Sequence, residues 1–195
     1  MSDPIVIVSL ARTPIGGLQG SLGSLTASEL GGHSIETTYQ RAGINPKSID
    51  EVIMGCVLPA GQGQAPARQA AIKAGIEHHV GATTVNKMCG SGMKAVMLGC
   101  DSIIAGTNEV VIAGGMESMS QSPYLLDKAR AGYRMGHGKV LDHMFLDGLE
   151  DAYRKGTLMG VFAEETANKY EFTREAQDEF AIDSLKKAQN AIKAK

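Results

Sequence analysis

Tryptophan is absent from the 195 residues and aromatic side chains make up only 5% of them, so the chain has little with which to build aromatic cages. It also lacks a charge excess. Lys and Arg total 19 against 21 Asp and Glu, a net charge of −2, which removes the basic footprint expected of a nucleic-acid or anionic-membrane binder. No apolar run approaches the roughly 20 residues a membrane-spanning helix requires. Met1-Ser2-Asp3-Pro4 leads straight into Ile5-Val6-Ile7-Val8, without a basic n-region or an Arg- and Ser-rich amphipathic stretch, so neither a secretory nor a transit peptide is expected. Cysteine is scarce. Cys56, Cys89 and Cys100 are odd in number and form no CxxC, which argues against a disulfide framework or zinc ribbon and for a reducing, cytoplasmic setting. There is no internal repeat and no low-complexity tract.

What is present is a core-forming composition: 43% hydrophobic and 21% charged residues, with 24 glycines for tight turns and close backbone packing. Charge divides the chain. Residues 1–118 carry 7 basic and 9 acidic side chains, whereas the shorter stretch 119–195 carries 12 of each. The first part reads as a packed core and the second as a more solvated attachment. In the first part, apolar runs at Ile5–Ala11, Val52–Leu58, Ala82–Met88 and Val110–Ala113 alternate with helical segments. One spans Thr26–Ala42, with Thr26 or Ser28 as cap and Gly43 as stop, and one spans Pro66–Ala74, closed by Gly75. The third starts at Ser91, where Met93, Val96, Met97, Cys100, Ile103 and Ile104 form one apolar face. Four apolar strands separated by three helices predict βαβ units, a parallel sheet and helices on both of its faces. In the second part, residues 124–145 suit a short hairpin or arm. A helix capped by Thr173 carries Ala176, Phe180, Ser184, Leu185, Ala188 and Ile192 on one side.

The sharpest chemical feature is Asn86-Lys87-Met88-Cys89-Gly90-Ser91-Gly92, a cysteine between an apolar strand and a helix start, followed by glycines. Free backbone N–H groups and the dipole at a helix start favour a thiolate and can hold a thioester oxyanion. The neighbouring glycines permit a sharp elbow and close substrate approach. A free thiol is only about 3% ionised at neutral pH, and a helix end contributes at most about 2 kcal/mol. An acyl-transfer site therefore still needs a base, usually His. On spacing alone, Cys89 reads equally as a nucleophile or as an inert buried thiol, while Cys56 and Cys100 read as core. His33, His78, His79, His137 and His143 offer no obvious base and no metal spacing such as HExxH, so no metal is expected. Gly16-Gly17-Leu18-Gln19-Gly20 and Gly61-Gln62-Gly63 fit neither GxGxxG nor GxxxxGK[ST] and read as tight turns. Most of the ten methionines read as core filling; Met88, Met116, Met119 and Met159 are candidates for lining an apolar tunnel.

Several segments together resemble the N-terminal half of a thiolase, closest to the acetyl-CoA acetyltransferase (acetoacetyl-CoA thiolase) branch. They are Val8 to Gly16, Asp50 to Gly55, Leu58 to Ala70, Asn86 to Gly92, Ala113 to Ser120, Asp147 to Leu149 and Thr173 to Asp178. The resemblance implies a thiolase-type α/β core over 1–118 with a mixed, largely parallel sheet, and most of an inserted loop domain over 119–195, the C-terminal domain lying outside this chain. It implies that Cys89 is the nucleophile that takes an acetyl group from acetyl-CoA. A second CoA thioester then loses an α-proton and condenses with it to give acetoacetyl-CoA, or the reverse thiolysis occurs. Leu149 and Met159 match positions that line the pantetheine arm. Coenzyme A is substrate and no cofactor is implied; the expected assembly is a homodimer or homotetramer.

This sequence departs from the family pattern in three ways. The motifs that carry the family's catalytic His, second Cys and Asn are not in these residues, so the chain alone is expected to lack turnover. Leu158-Met159-Gly160 stands where His-Met-Gly is usual, and Ala163-Glu164-Glu165 where Ala-Glu-Asn is usual. Alternative readings are a longer-chain 3-ketoacyl-CoA thiolase, a non-catalytic half-thiolase acting as a binding or assembly module, and a Rossmann-like nucleotide binder. Apolar surface that normally meets a second domain is expected to be exposed.

Overall fold

Local chemistry sets the helix limits in the computed structural model, which describes residues 4–194. Helix α1 (Ala27–Ala42) starts in a capping box: the Thr26 hydroxyl accepts from the Glu29 N–H at 3.3 Å, and the Thr26 N–H donates to Glu29 Oε2 at 2.8 Å. It ends at Gly43, whose φ of +66° is left-handed. Helix α2 (Pro66–Lys73) opens on a proline, where the missing N–H costs nothing, and the chain turns away at Gly75. The two helices approach closely because the contact residues are small. A Cβ on Gly31 would lie 2.6 Å from Met116 Sδ, and one on Gly32 would lie 2.9 Å from Lys73 Cβ. Ala67, Ala70, Ala71 and Ala74 complete this side of the core with Ile35, Val52, Met54 and Val80.

Three strands, β1 (Glu51–Gly55), β2 (Gly81–Val85) and β3 (Val111–Gly115), form a parallel sheet in the order β2-β1-β3. Gly55 lies in register with Val85 on one side and Gly115 on the other, so all three strands end at one level. Alternation along the central strand sends Val52 and Met54 into the cluster under α1 and α2. The opposite face receives helix α3 (Ser91–Ile104), where a Cβ on Gly99 would meet Val111 at 3.1 Å and Ala113 at 3.7 Å. Helices therefore cover both faces, as the α/β pattern predicts.

Two expectations fail. Ile5–Ala11 is not a strand: it joins no sheet among the described residues, its Leu10 carbonyl accepts from the Arg41 side chain at 3.1 Å, and Val6, Ile7, Val8 and Leu10 project outward, Ile7 being 79% exposed. Apolar composition favours extended chain, but a strand exists only where a neighbour takes its N–H and C=O groups. The apolar face of α3 is also turned the other way. The helix buries its small residues, Ser91, Ala95 and Gly99, against the sheet, while Met93 (74% exposed), Val96, Met97 and Ile104 (72%) face outward. Periodicity locates an apolar face without saying which body it covers.

Between residues 123 and 145, β4 (Tyr124–Leu125) pairs antiparallel with β5 (Leu141–Asp142), which gives the expected arm. This first unit ends at Gly148 and a second begins at Leu149. The second holds α4 (Met159–Lys169) and α5 (Arg174–Lys193), with Thr173 Oγ1 accepting from the Ala176 N–H at 3.2 Å. Arg154 ties the loop before α4 to its face through Glu165, at 2.9 Å, and lies over the Phe162 ring at 4.9 Å. Phe180, Leu185 and Ile192 on α5 are exposed.

Asp50, just before β1, accepts from the N–H groups of Glu109 and Val110 at 2.7 and 2.8 Å, and the Val110 bond contributes most to holding its carboxyl below the usual value. Because the folded pKa is lowered, this stabilisation is present above the unfolded value near 3.9 and is lost as pH falls through the folded one. Asp50→Ala is expected to cost about 1 kcal/mol at neutral pH, the site being exposed. The difference from wild type should shrink in urea titrations as pH falls below the unfolded value.

Candidate active site

The level ends of β1 and β3 create a place for the first turn of α3. A Cβ on Gly55 would fall 2.5 Å from the Ser91 carbonyl carbon and 2.7 Å from the Gly92 nitrogen, and one on Gly115 would fall 3.3 Å from the Gly92 Cα. Only glycine lets this turn sit directly on the strand ends. A cavity of about 330 Å³ opens there, lined by residues that include Cys56, Val57, Met88, Cys89, Met116 and Glu117. It lies beyond the carboxyl ends of the strands, where open parallel sheets place their ligands.

The elbow that presents Cys89 is held from several directions. Met88 has a φ of +46°, a conformation that is costly for a residue with a side chain. Its N–H donates to Asn86 Oδ1 at 2.9 Å and its carbonyl accepts from the Ser91 hydroxyl at 2.5 Å. The same hydroxyl accepts from the Lys87 N–H at 2.8 Å. Cys89 is exposed at the cavity, one residue before the N-cap of α3, so it is not a buried thiol. Helix geometry leaves first-turn N–H groups without intrahelical acceptors, and these supply a positive field beside the sulfur.

Cys56 lines the same cavity in a very different state. It is buried immediately after β1, its Sγ 3.5 Å from Glu117 Oε1 and 3.3 Å from Gln62 Nε2. Burial first, and the neighbouring Glu117 charge second, push its thiol from the ordinary 9.0 up to about 11. Cys100 is half-buried on α3, outside the core cluster.

Leu149 and Met159, also singled out from the sequence, belong to the second unit. Leu149 begins the second unit and Met159 is the first residue of α4. An antiparallel bridge between Glu150 and Leu158 brings their chain segments together. No histidine is among the residues lining the Cys89 cavity. His143, at 4% exposure, is buried rather than solvated: its Nδ1 lies 2.6 Å from Asp147 Oδ2, and its Nε2 accepts from the Ala60 N–H at 3.4 Å. That geometry places the proton on Nδ1 and makes His143 a clasp between the arm and the loop after β1.

Sequence reasoning assigned no role to Glu117, which sits in the cavity wall and accepts from Val57 N–H at 2.7 Å and Leu58 N–H at 3.2 Å. Its only local signal is a carboxylate directly after the apolar run Val110 to Met116.

Residues 5–195 match the family described as "Thiolase, N-terminal domain". The chain belongs to the thiolase family. Its similarity to acetyl-CoA acetyltransferase of Cupriavidus necator is 54% identity over 100% of this chain and 49% of the relative. With acetyl-CoA acetyltransferase of Candida albicans it is 50% identical over 99% of the chain and 48% of the relative. A Gibberella zeae protein named a cytosolic acetyl-CoA acetyltransferase is 50% identical over 98% of the chain and 48% of its own length. This thiolase chain thus spans about half the length of the curated relatives it matches.

Two outcomes are expected at this site. Gly55→Ala should lower stability by about 2–3 kcal/mol in chemical denaturation, because its Cβ meets backbone that cannot yield cheaply. The raised Cys56 pKa means that the unfolded chain ionises there first. Its effect on stability is nil below about pH 9 and grows unfavourable as pH rises toward about 11. Urea midpoints of Cys56→Ala should accordingly fall less over that alkaline interval than those of wild type.

Proposed function

We propose that this thiolase chain carries the acyl-transfer half of an acetyl-CoA acetyltransferase, with Cys89 as the nucleophile. The observation that carries the reading is the exposed Cys89 thiol at the start of α3, on a cavity at the strand ends. The names of the relatives supply the substrate class. The Cys89 sulfur attacks the thioester carbonyl of acetyl-CoA, and a new C–S bond forms. The carbonyl electrons move onto oxygen, where the helix N-terminal N–H groups stabilise them. Collapse breaks the bond to the coenzyme A sulfur, which leaves with the proton lost by Cys89. A second acetyl-CoA then loses an α-proton to a base. Its carbanion attacks the acetyl carbonyl, releasing acetoacetyl-CoA and returning the thiol. Run backwards, the same steps cleave acetoacetyl-CoA.

No histidine lines the described cavity, and we assign the base to residues other than these. The chain alone is therefore proposed to accept an acetyl group slowly and not to turn over. Leu149 and Met159 are assigned to the pantetheine arm of the substrate. The outward apolar face of α3 supports burial against more protein, as in a homodimer or homotetramer. The free thiols and the cytosolic relative support a cytoplasmic setting.

Intact-mass and peptide mass spectrometry after exposure to acetyl-CoA tests the reading. One acetyl group on Cys89, absent from Cys89→Ala and removed by added free coenzyme A, is the expected result. Acyl-CoA binding with no adduct would instead favour a non-catalytic binding module.

A further inference from the structure

Glu117 and Cys89 stand on different strand ends, yet a continuous set of hydrogen bonds joins them. The two oxygens of Glu117 accept from the N–H groups of Val57 and Leu58, fixing the backbone at the point where it leaves β1. The carbonyl of Val57 accepts from Asn86 Nδ2 at 3.3 Å. The other end of that amide, Oδ1, accepts from the Met88 N–H at 2.9 Å. Met88 is the residue held at positive φ, and Cys89 follows it. The Val57 peptide is thus gripped from both sides, by a carboxylate on the β3 end and by the amide of the nucleophile elbow.

A left-handed conformation at a residue with a Cβ persists only where its surroundings over-determine it. Ser91 holds the Met88 carbonyl, but its N–H depends on Asn86. Asn86 is exposed, and its orientation is set by the peptide oxygen it reaches. If the backbone after β1 drifts, that oxygen moves, the amide turns with it, and the elbow loses the restraint on its Met88 N–H. A carboxylate suits this task because its two oxygens can accept from two N–H groups at once. A glutamine would present N–H₂ to one of them.

We propose that Glu117 is a positioning residue for Cys89, acting through the Val57 peptide and Asn86; this rests on the acyl-transfer reading above. Glu117 does not touch the sulfur. It sets the direction from which the thiol meets a bound thioester, a quantity to which acyl transfer is sensitive and to which attack by a small, freely tumbling reagent is not.

The test uses Glu117→Gln, Asn86→Ala and the double variant. Acetylation of Cys89 by acetyl-CoA is expected to fall about tenfold in each single variant and by about the same tenfold in the double, because both act along one line. Alkylation of Cys89 by iodoacetamide should change less than about twofold in all three. An additive loss of about a hundredfold in the double, or unaltered acetylation in either single, overturns the proposal. Amide exchange at Met88, read by NMR without any thioester, should quicken about tenfold in Glu117→Gln although the two residues do not touch. Unchanged exchange there overturns the relay whatever acetyl-CoA does. If wild type takes no acetyl group while the exchange at Met88 responds, the relay stands and the acyl-transfer reading fails. Asn86→Ala, an exposed substitution, keeps the test decisive if Glu117→Gln does not fold: Met88 exchange unchanged in Asn86→Ala also overturns the relay.

Discussion

The structure depends on one close approach: the first turn of α3 seated on the ends of β1 and β3 with no side chain between. Gly55, Gly92 and Gly115 make that seating possible. Gly55 is the strictest of them: a Cβ there would fall 2.5 Å from the Ser91 carbonyl carbon, so the helix start, and the elbow carrying Cys89 with it, would have to lift. The parallel register matters for the same reason. Because β1 and β3 stop at the same level, a single helix start can rest on both. The cavity is the space left beside that seat, so its position follows from sheet topology rather than from any loop of its own.

Within the cavity, environment separates two chemically identical side chains. Cys56 is enclosed beside a carboxylate, and both influences keep its proton on. Cys89 stands open at a helix start. The same carboxylate that discourages ionisation of Cys56 also holds the backbone after β1. One acidic residue thus discourages ionisation of one thiol and supports the geometry of the other, from a half-buried place in the cavity wall.

Much of this was legible in the sequence where the signal was local. The Thr26 cap, Pro66 at a helix start, the Gly43 and Gly75 stops and the cysteine–glycine elbow all describe interactions among residues a few positions apart, which sequence order preserves. The failures share an opposite cause. Ile5–Ala11 has strand composition, but whether a strand forms depends on a distant partner. The α3 pattern marks an apolar face correctly, but Ala95 and Gly99 are the residues that touch the sheet, because a helix must come close to a glycine-rich strand end and only small side chains allow it. Glu117 was missed because a carboxylate that accepts from backbone N–H groups some sixty positions earlier leaves no periodic trace. The clasp made by His143 left no signal either: Asp147 is near in sequence, but the Ala60 N–H that its Nε2 accepts from is 83 positions away.

The outward row on α3 has a consequence for how the chain behaves as material. A helix that spends its smallest residues on its own sheet and holds Met93, Val96, Met97 and Ile104 in reserve is a two-sided element with one side engaged. Methionine is flexible enough to fit imperfect surfaces as well as the right one. Left uncovered, such a side favours contact with other apolar surface, and the tendency rises with concentration. Solubility and assembly are then a single property of this helix, read at different concentrations.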